Sequence, residues 1–256
     1  MQIILDTISK KFSLKKKKQK NYKLFDLQAY IIIKKFWEEY CWHFKYTYQF
    51  SWLGFPVIQL TEDLIQVQEY IVQEKPNFII ETGIARGGSI IFYSSICKLI
   101  GFGKVIGVDI KIKKRTLQSL KKNSLSKYFK LFISDSTNEK LIKKIKNIIK
   151  NKKTLVILDS NHDYEHVLKE LNKYGNIICK NSTILITDGI VDTMNFSPRR
   201  LLYNKNGGPI KALKIFLKKN NKFSSFNPKM TFNHSLFKRD LRLTHFPMGW
   251  IKKVRS

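Results

Sequence analysis

The 256-residue chain carries 48 Lys and Arg against 19 Asp and Glu, a net charge of +29, and is 43% hydrophobic. That length and apolar content suit one α/β domain, residues 57–256, behind an N-terminal extension, residues 1–56. No apolar run approaches the roughly 20 residues of a membrane span, no signal-peptide pattern opens the chain, and three scattered cysteines (Cys41, Cys97, Cys179) fit free thiols in a reducing cytoplasm rather than disulfides or a metal cluster.

Lysine dominates the charge, since only seven of the basic residues are Arg. Base-reading proteins favour the forked guanidinium. Lys, Ile, Asn, Phe and Tyr are abundant together, as an AT-rich coding sequence would produce, so no specific nucleic-acid partner is expected. The densest run, Lys10 to Lys23, holds eight lysines and no acid and reads as a solvated, partly disordered arm. Its functional reading is peripheral contact with an anionic lipid or glycan surface. From Tyr40 to Trp52 an aromatic stands at every second position: Tyr40, Trp42, Phe44, Tyr46, Tyr48, Phe50 and Trp52. Period two predicts an extended segment with one aromatic face, packed on the domain. The same rings would serve a substrate pocket, or an interface in a homo-oligomer. Residues 62–73 then read as a helix.

Phe78-Ile79-Ile80 predicts a buried strand and residues 90–100 a helix. Between them runs Glu81-Thr82-Gly83-Ile84-Ala85-Arg86-Gly87-Gly88-Ser89. A strand, a glycine turn and a helix start form a cradle for a nucleotide cofactor, because glycine permits close backbone approach and the helix start offers free N–H groups. The order E-T-G-x-x-x-G-G-S is not the dinucleotide fingerprint, and Glu81 suits a cationic or hydroxyl-rich ligand better than a pyrophosphate. A plain tight βα turn has the same composition.

Four further segments repeat one pattern, an apolar or β-branched run ending in Asp: Lys104–Asp109, Lys130–Asp135, Thr154–Asp159 and Thr183–Asp188. Helical segments, including 139–150 and 165–174, separate them. The predicted fold is α/β, a doubly wound, mostly parallel Rossmann-like sheet with helices on both faces. Ligands of such sheets lie outside the carboxyl ends of the strands, where Glu81, Asp109, Asp135, Asp159 and Asp188 gather. A single Asp there serves equally as a helix cap. Asp109 holds the position that takes the ribose hydroxyls of an adenosine cofactor.

The strongest chemical constellation is Leu158-Asp159-Ser160-Asn161-His162 taken with Thr187-Asp188. Asp159 and Asp188 end neighbouring strands, so their oxygens would share a divalent cation, and two carboxylates with waters and substrate oxygens are what Mg²⁺ takes. A metal there orients a substrate hydroxyl and lowers its pKa. His162, one short turn beyond Asp159, is placed to accept the hydroxyl proton; without the neighbouring acids a capping or core histidine would be the better reading. His162-Asp-Tyr-Glu165-His166 also matches the H-x-x-E-H zinc motif, but no glutamate follows Glu170 to supply the distal ligand. No H-x-D pairs with a distant histidine as an iron facial triad requires.

These strings together resemble the cephalosporin hydroxylase / rhamnosyl O-methyltransferase family, whose members are similar to class I S-adenosylmethionine-dependent methyltransferases. The resemblance runs from about Trp52 to Lys253. It includes Trp52-Leu-Gly-x-Pro56, Gln59, Glu62-Asp63, the Glu81–Ser89 turn, Val105-Ile-Gly-Val-Asp109 and Leu158–His162. It continues through His166-Val-Leu-x-Glu170-Leu, Pro209-x-x-Ala212-x-x-x-Phe216-Leu and Thr244-x-x-Pro247-x-Gly249. It implies S-adenosylmethionine as cofactor, in a pocket shaped by Glu81, Gly83, Ala85, Gly87 and Ser89. Asp109 would bind the ribose, and Ser134, Asp135 and Ser136 would lie beside the adenine. Asp159 and Asp188 would hold Mg²⁺, with His162 and Asp159 catalytic. The family commonly places an acid immediately before the position of Asp188, where this chain has Thr187.

The activity implied is methyl transfer to a hydroxyl of a sugar or glycan, a lipid-linked glycan or a secondary metabolite. The alternatives are an accessory protein of an oxidative, hydroxylase pathway, and a basic module for anionic glycan or nucleic acid that kept the fold and lost the chemistry. Residues 190–208, with Pro198-Arg-Arg200 and Asn206-Gly-Gly208, read as a mobile loop near the site.

Overall fold

The computed structural model describes residues 2–15, 19–195, 197–198, 206–232 and 241–255. Three short strands, β1 (Gln2–Asp6), β2 (Lys11–Lys15) and β3 (Gln19–Lys23), open it as an antiparallel meander. The lysine run is thus paired strand rather than the partly disordered arm expected, while its described lysines are exposed as expected; residues 16–18 lie outside the described ones. Phe12 is the reason: it is fully buried and stands opposite Tyr22 in the register, ring centroids 6.0 Å apart.

The aromatic segment departs further from expectation. Helix α1 (Leu27–His43) takes in Tyr40 and Trp42, a 3₁₀ turn covers Tyr46–Gln49, and only β4 (Phe50–Trp52) is extended, pairing with β5 (Phe55–Val57). Asp26 caps the helix, its side chain accepting from the Ala29 N–H at 2.7 Å, and no Gly or Pro interrupts the next 17 residues. Along it and into its C-cap, Phe36, Tyr40 and Phe44 stack four residues apart, with centroids 4.9 and 5.2 Å apart. That ladder needs helical spacing, and it outweighs the alternation.

Next come α2 (Thr61–Glu74), β6 (Phe78–Thr82), α3 (Gly88–Leu99), β7 (Lys104–Asp109), α4 (Lys114–Lys122), β8 (Phe129–Ile133) and α5 (Glu139–Ile149). They are followed by β9 (Thr154–Leu158), α6 (Tyr164–Ile177), β10 (Thr183–Ile186), α7 (Ile190–Thr193), α8 (Pro209–Lys219), β11 (Phe223–Ser225) and β12 (Trp250–Lys253). Seven strands form one sheet in the order β11-β12-β10-β9-β6-β7-β8. All pairs from β10 to β8 are parallel, and β12 runs antiparallel to both its neighbours. The fold is therefore the expected α/β, mostly parallel sheet.

Alternation along the strands feeds two cores. Ile79, Leu155, Ile157 and Leu185 face one side, with Val67 and Ile71 of α2 and Ile90 and Cys97 of α3. Ile80, Val156, Leu158, Ile184 and Ile186 face the other, with Ile145 of α5, Leu171 of α6 and Phe216 of α8. Both faces of a parallel sheet must be covered, which is why its strands read as continuous apolar runs. The strand order reverses between β6 and β9, and a crevice opens there at the carboxyl ends. Of the loop expected over 190–208, residues 196 and 199–205 lie outside the described residues. Its two ends are tied together: Asp192 in α7 accepts from the N–H groups of Gly208 and Ile210, each at 2.6 Å.

Candidate active site

The turn after β6 is built as a cradle, and its glycines answer to the protein's own backbone. Gly83 has φ +81°, and a Cβ there would stand 2.2 Å from the Asp159 carbonyl oxygen. Gly87, also at φ +81°, would drive a Cβ against Leu120 at 2.8 Å. Close approach of β9 and α4, as well as room for a ligand, selects glycine here. Asp109 at the end of β7 braces the same turn, Oδ2 accepting from Ile84 N–H (2.9 Å) and Ala85 N–H (3.2 Å), and Oδ1 from Lys111 N–H (3.0 Å). Ala85 sits in the left-handed region at φ 44°.

A cavity of about 470 Å³ opens beyond this turn, lined by Gly83, Ala85, Asp109, Ser134, Asp135, Ser136, Asp159, Ser160 and His166 among others. Its size is that of an ordinary small-molecule site. Asp135 is bonded back into its own turn by Thr137, whose hydroxyl and N–H hold the carboxyl below its ordinary pKa. Two residues at this wall, His166 and the buried Glu170 behind it, carry no site role in the sequence reading. His166 Nε2 lies 3.2 Å from Ser136 Oγ and 3.1 Å from Ser160 Oγ. The Ser160 hydroxyl donates to Glu170 at 2.8 Å, and Glu170 is fully buried. The string His166-Val-Leu-x-Glu170 carried that signal, since i and i+4 share a helix face.

Glu81 does not face this cavity in the way the motif suggests. It is fully buried, accepting from the Ser89 hydroxyl at 2.6 Å. Burial first, then the charge of Asp159, push its carboxyl well above the ordinary range. Glu81 Oε1, the Tyr93 hydroxyl and Gln59 Oε1 are buried without a hydrogen bond of ordinary geometry. Gln59 closes the chain by donating to Asp159 Oδ2 at 3.3 Å.

Asp159, at the end of β9, stands at the crossing point. The Thr187 hydroxyl donates to its Oδ1 at 2.5 Å, so the threonine in the place of an acid serves as a donor. Burial, and next the charge of Asp188, raise Asp159 to about 7, against the pull of His162, Thr187 and Gln59. Asp188 itself sits at φ 52°, an uncommon conformation that aims its carboxylate back at the site. His162 Nε2 lies 2.9 Å from Asp188 Oδ2. Burial alone would depress the imidazole, but Asp188 and Asp159 outweigh it and bring it up to about 9.

One donor atom from each of Asp159, His162 and Asp188 lies within 4.8 Å of the others, and this is the one such group among the described residues. Two carboxylates and an imidazole this close fit a divalent cation. The H-x-x-E-H zinc arrangement is not formed. His162 precedes α6, His166 turns to the serines, and Glu165 is exposed.

A second cavity, about 230 Å³, lies on the other side of Asp159, lined by Gln59, Gly83, Ala85, Asp159, Ser160, His162, Asp188 and His245, with Trp42, Lys45, Thr47 and Tyr48 from the N-terminal segment. The aromatic segment thus contributes pocket wall, though as helix and 3₁₀ turn. Asp63 in α2 anchors the segment that leads into β12, accepting from the Thr244 hydroxyl (2.6 Å) and the His245 N–H (2.8 Å).

Comparison with known proteins agrees with this geometry. The family described as Rhamnosyl O-methyltransferase/CmcI matches residues 44–254. The chain is 26% identical over 171 residues to a rhamnosyl O-methyltransferase of Mycobacterium leprae, covering 65% of this chain and 69% of that protein. It is 24% identical over 170 residues to one of Mycobacterium bovis, covering 65% of each. In fold it is similar to CmcI solved with Mg-SAM (TM-score 0.52, 14% identity, 81% of this chain and 78% of that one). It is similar also to the SAH-bound Podospora anserina methyltransferase PaMTH1 (TM-score 0.53, 13% identity, 77% and 82%). With the match extending over most of its length, the chain belongs to the rhamnosyl O-methyltransferase/CmcI family of S-adenosylmethionine-dependent methyltransferases.

Proposed function

We propose that this protein transfers a methyl group from S-adenosylmethionine to a hydroxyl of a sugar or glycan, a lipid-linked glycan or a related secondary metabolite, assisted by Mg²⁺. The observation that carries the reading is the pair of cavities meeting at one wall: Gly83, Ala85, Asp159 and Ser160 line both. The larger, with Asp109 and Ser134–Ser136, is the donor side; the smaller, with His162, Asp188 and the aromatic wall, is the acceptor side. The sugar acceptor follows the rhamnosyl substrate named for the mycobacterial relatives.

In the reaction the acceptor oxygen forms a bond to the methyl carbon, the carbon–sulfur bond breaks, and the acceptor loses its proton. Holding donor and acceptor in line across the Asp159 wall supplies much of the rate. Asp109 offers carboxylate oxygens to the ribose hydroxyls, and Ser134–Ser136 flank the adenine. Asp159 and Asp188 would hold the cation, which supplies polarisation of the acceptor hydroxyl. Charge taken up by a cation no longer holds the His162 proton, so His162 becomes a base able to accept the hydroxyl proton.

Calorimetric titration with S-adenosylmethionine, with and without Mg²⁺, tests this. Binding that falls by about tenfold or more in Asp109→Ala supports the donor site, and a Mg²⁺ effect lost in Asp159→Ala supports the cation site. A chain that binds no S-adenosylmethionine under either condition overturns the reading.

A further inference from the structure

Helix α1 carries a face that the methyltransferase chemistry does not use. Ile33, Trp37, Tyr40 and Phe44 stand at i, i+4, i+7 and i+11 and so share one side of the helix. They are 38%, 47%, 45% and 65% exposed. The acids of α1 turn away from that side. Glu39 is buried and accepts from the N–H groups of Asn195 and Ser197, while Glu38 pairs with Lys34 and accepts from Thr244 N–H. Lysines flank it: Lys20 and Lys23 precede the helix, Lys45 follows it, and all three are exposed. Residues 1–55 hold eleven lysines against four acids.

Exposed Trp, Tyr and Phe beside lysines, without acid, is the composition that seats at the boundary of an anionic bilayer. The rings lie at headgroup level there and lysines are drawn to the negative surface. A second copy of the chain is the poorer occupant. Two chains of +29 would be brought together lysine to lysine, and a helix seam favours Leu and Ile over Trp and Tyr. We propose that α1 docks this protein on anionic phospholipid membranes through Ile33, Trp37, Tyr40 and Phe44, with the flanking lysines. The same segment continues into Trp42, Lys45 and Tyr48 at the second cavity, so docking brings that cavity to the lipid surface.

Co-sedimentation of the full chain with phosphatidylglycerol/phosphatidylcholine vesicles, against phosphatidylcholine alone, is the test. Binding to the anionic vesicles only, weakened by salt and lowered about tenfold or more in Trp37→Ser/Phe44→Ser, supports the proposal. So does quenching of tryptophan fluorescence by brominated lipid that Trp37→Phe diminishes while the chain stays bound. The proposal is overturned by no binding at low salt, by equal binding of the double variant, or by quenching indifferent to Trp37. A lipid-free dimer that the double variant dissolves also overturns it, by giving the face to a second copy. Circular dichroism and S-adenosylmethionine titration of the same variants separate misfolding, and failure of the methyltransferase reading, from failure of docking.

Discussion

His162 and Asp188 form a 2.9 Å ion pair between the segment after β9 and the segment after β10, and the imidazole is held up to about 9 by that partner against its own burial. A histidine whose folded pKa exceeds the unfolded value stabilises the fold fully below about 6.5, and the gain is lost as pH rises through about 9. The metal-free protein should therefore lose melting temperature across that window, and Asp188→Asn should flatten the loss. Mg²⁺ binding near pH 8 should release a proton, seen as a dependence of the calorimetric heat on the buffer's ionisation enthalpy. The dependence should vanish in His162→Gln.

Thr187 donates to Asp159 where the family commonly has an acid. Thr187→Asp should cut both ways. Without metal it sets a third carboxylate beside Asp159 and Asp188, lowering the melting temperature by like-charge repulsion. With metal it adds an anionic ligand and should raise Mg²⁺ affinity by about tenfold. Thermal scans with and without Mg²⁺ read both effects; equal melting shifts in the two conditions would contradict the assignment of this wall to a cation.

Gly83 is pinned by a φ of +81° and by the Asp159 carbonyl. Gly83→Ala must strain the backbone and push β9 away from β6, a cost of about 3 kcal/mol or more. Melting should fall by roughly 6 °C or more, and S-adenosylmethionine binding should weaken with it because Asp159 and the turn move together. Gly54 has the same φ, and nothing lies within 4 Å of an added Cβ there; Gly54→Ala should leave S-adenosylmethionine binding unchanged.

Asp63 is buried beneath the Thr244–His245 segment, and burial raises its carboxyl to about 8 in spite of the two hydrogen bonds it accepts. Its folded pKa lies above the unfolded value, so its share of stability is full below about 3.9 and is lost as pH rises through about 8. Asp63→Asn should remove that slope from a plot of melting temperature against pH. Asp63→Ala should cost about 2 kcal/mol, since it strands the Thr244 hydroxyl and the His245 N–H.

Much of the site is legible in the sequence. The apolar run Thr154–Leu158 reads as a buried strand, and the Asp immediately after it falls at the carboxyl edge of the sheet. Asp109, Asp188 and the Glu81–Ser89 turn followed by the same logic. The roles inside the site were less legible. Glu81 reads as a ligand-facing acid, yet it lies fully buried with Ser89. His166 and Glu170 read as one helix face, yet their partners Ser136 and Ser160 come from other segments.

Local pattern determined what local physics controls: strands of apolar and β-branched residues, helices between them, a parallel doubly wound sheet, and the edge at which its carboxylates collect. Tertiary structure decided the rest. Alternating aromatics from Tyr40 to Trp52 suggested an extended arm, but the Asp26 cap and the Phe36–Tyr40–Phe44 ladder made its first part a helix. Only the packing of that helix and the turn after it brings Trp42 and Tyr48 to the wall beside Asp159. Likewise, the strand-end pattern anticipates Asp159, His162 and Asp188 together, but not the geometry that brings one donor atom of each within 4.8 Å of the others. That depends on β9 and β10 being neighbours and on Asp188 taking a left-handed turn, which long-range burial stabilises and nearest-neighbour preference opposes.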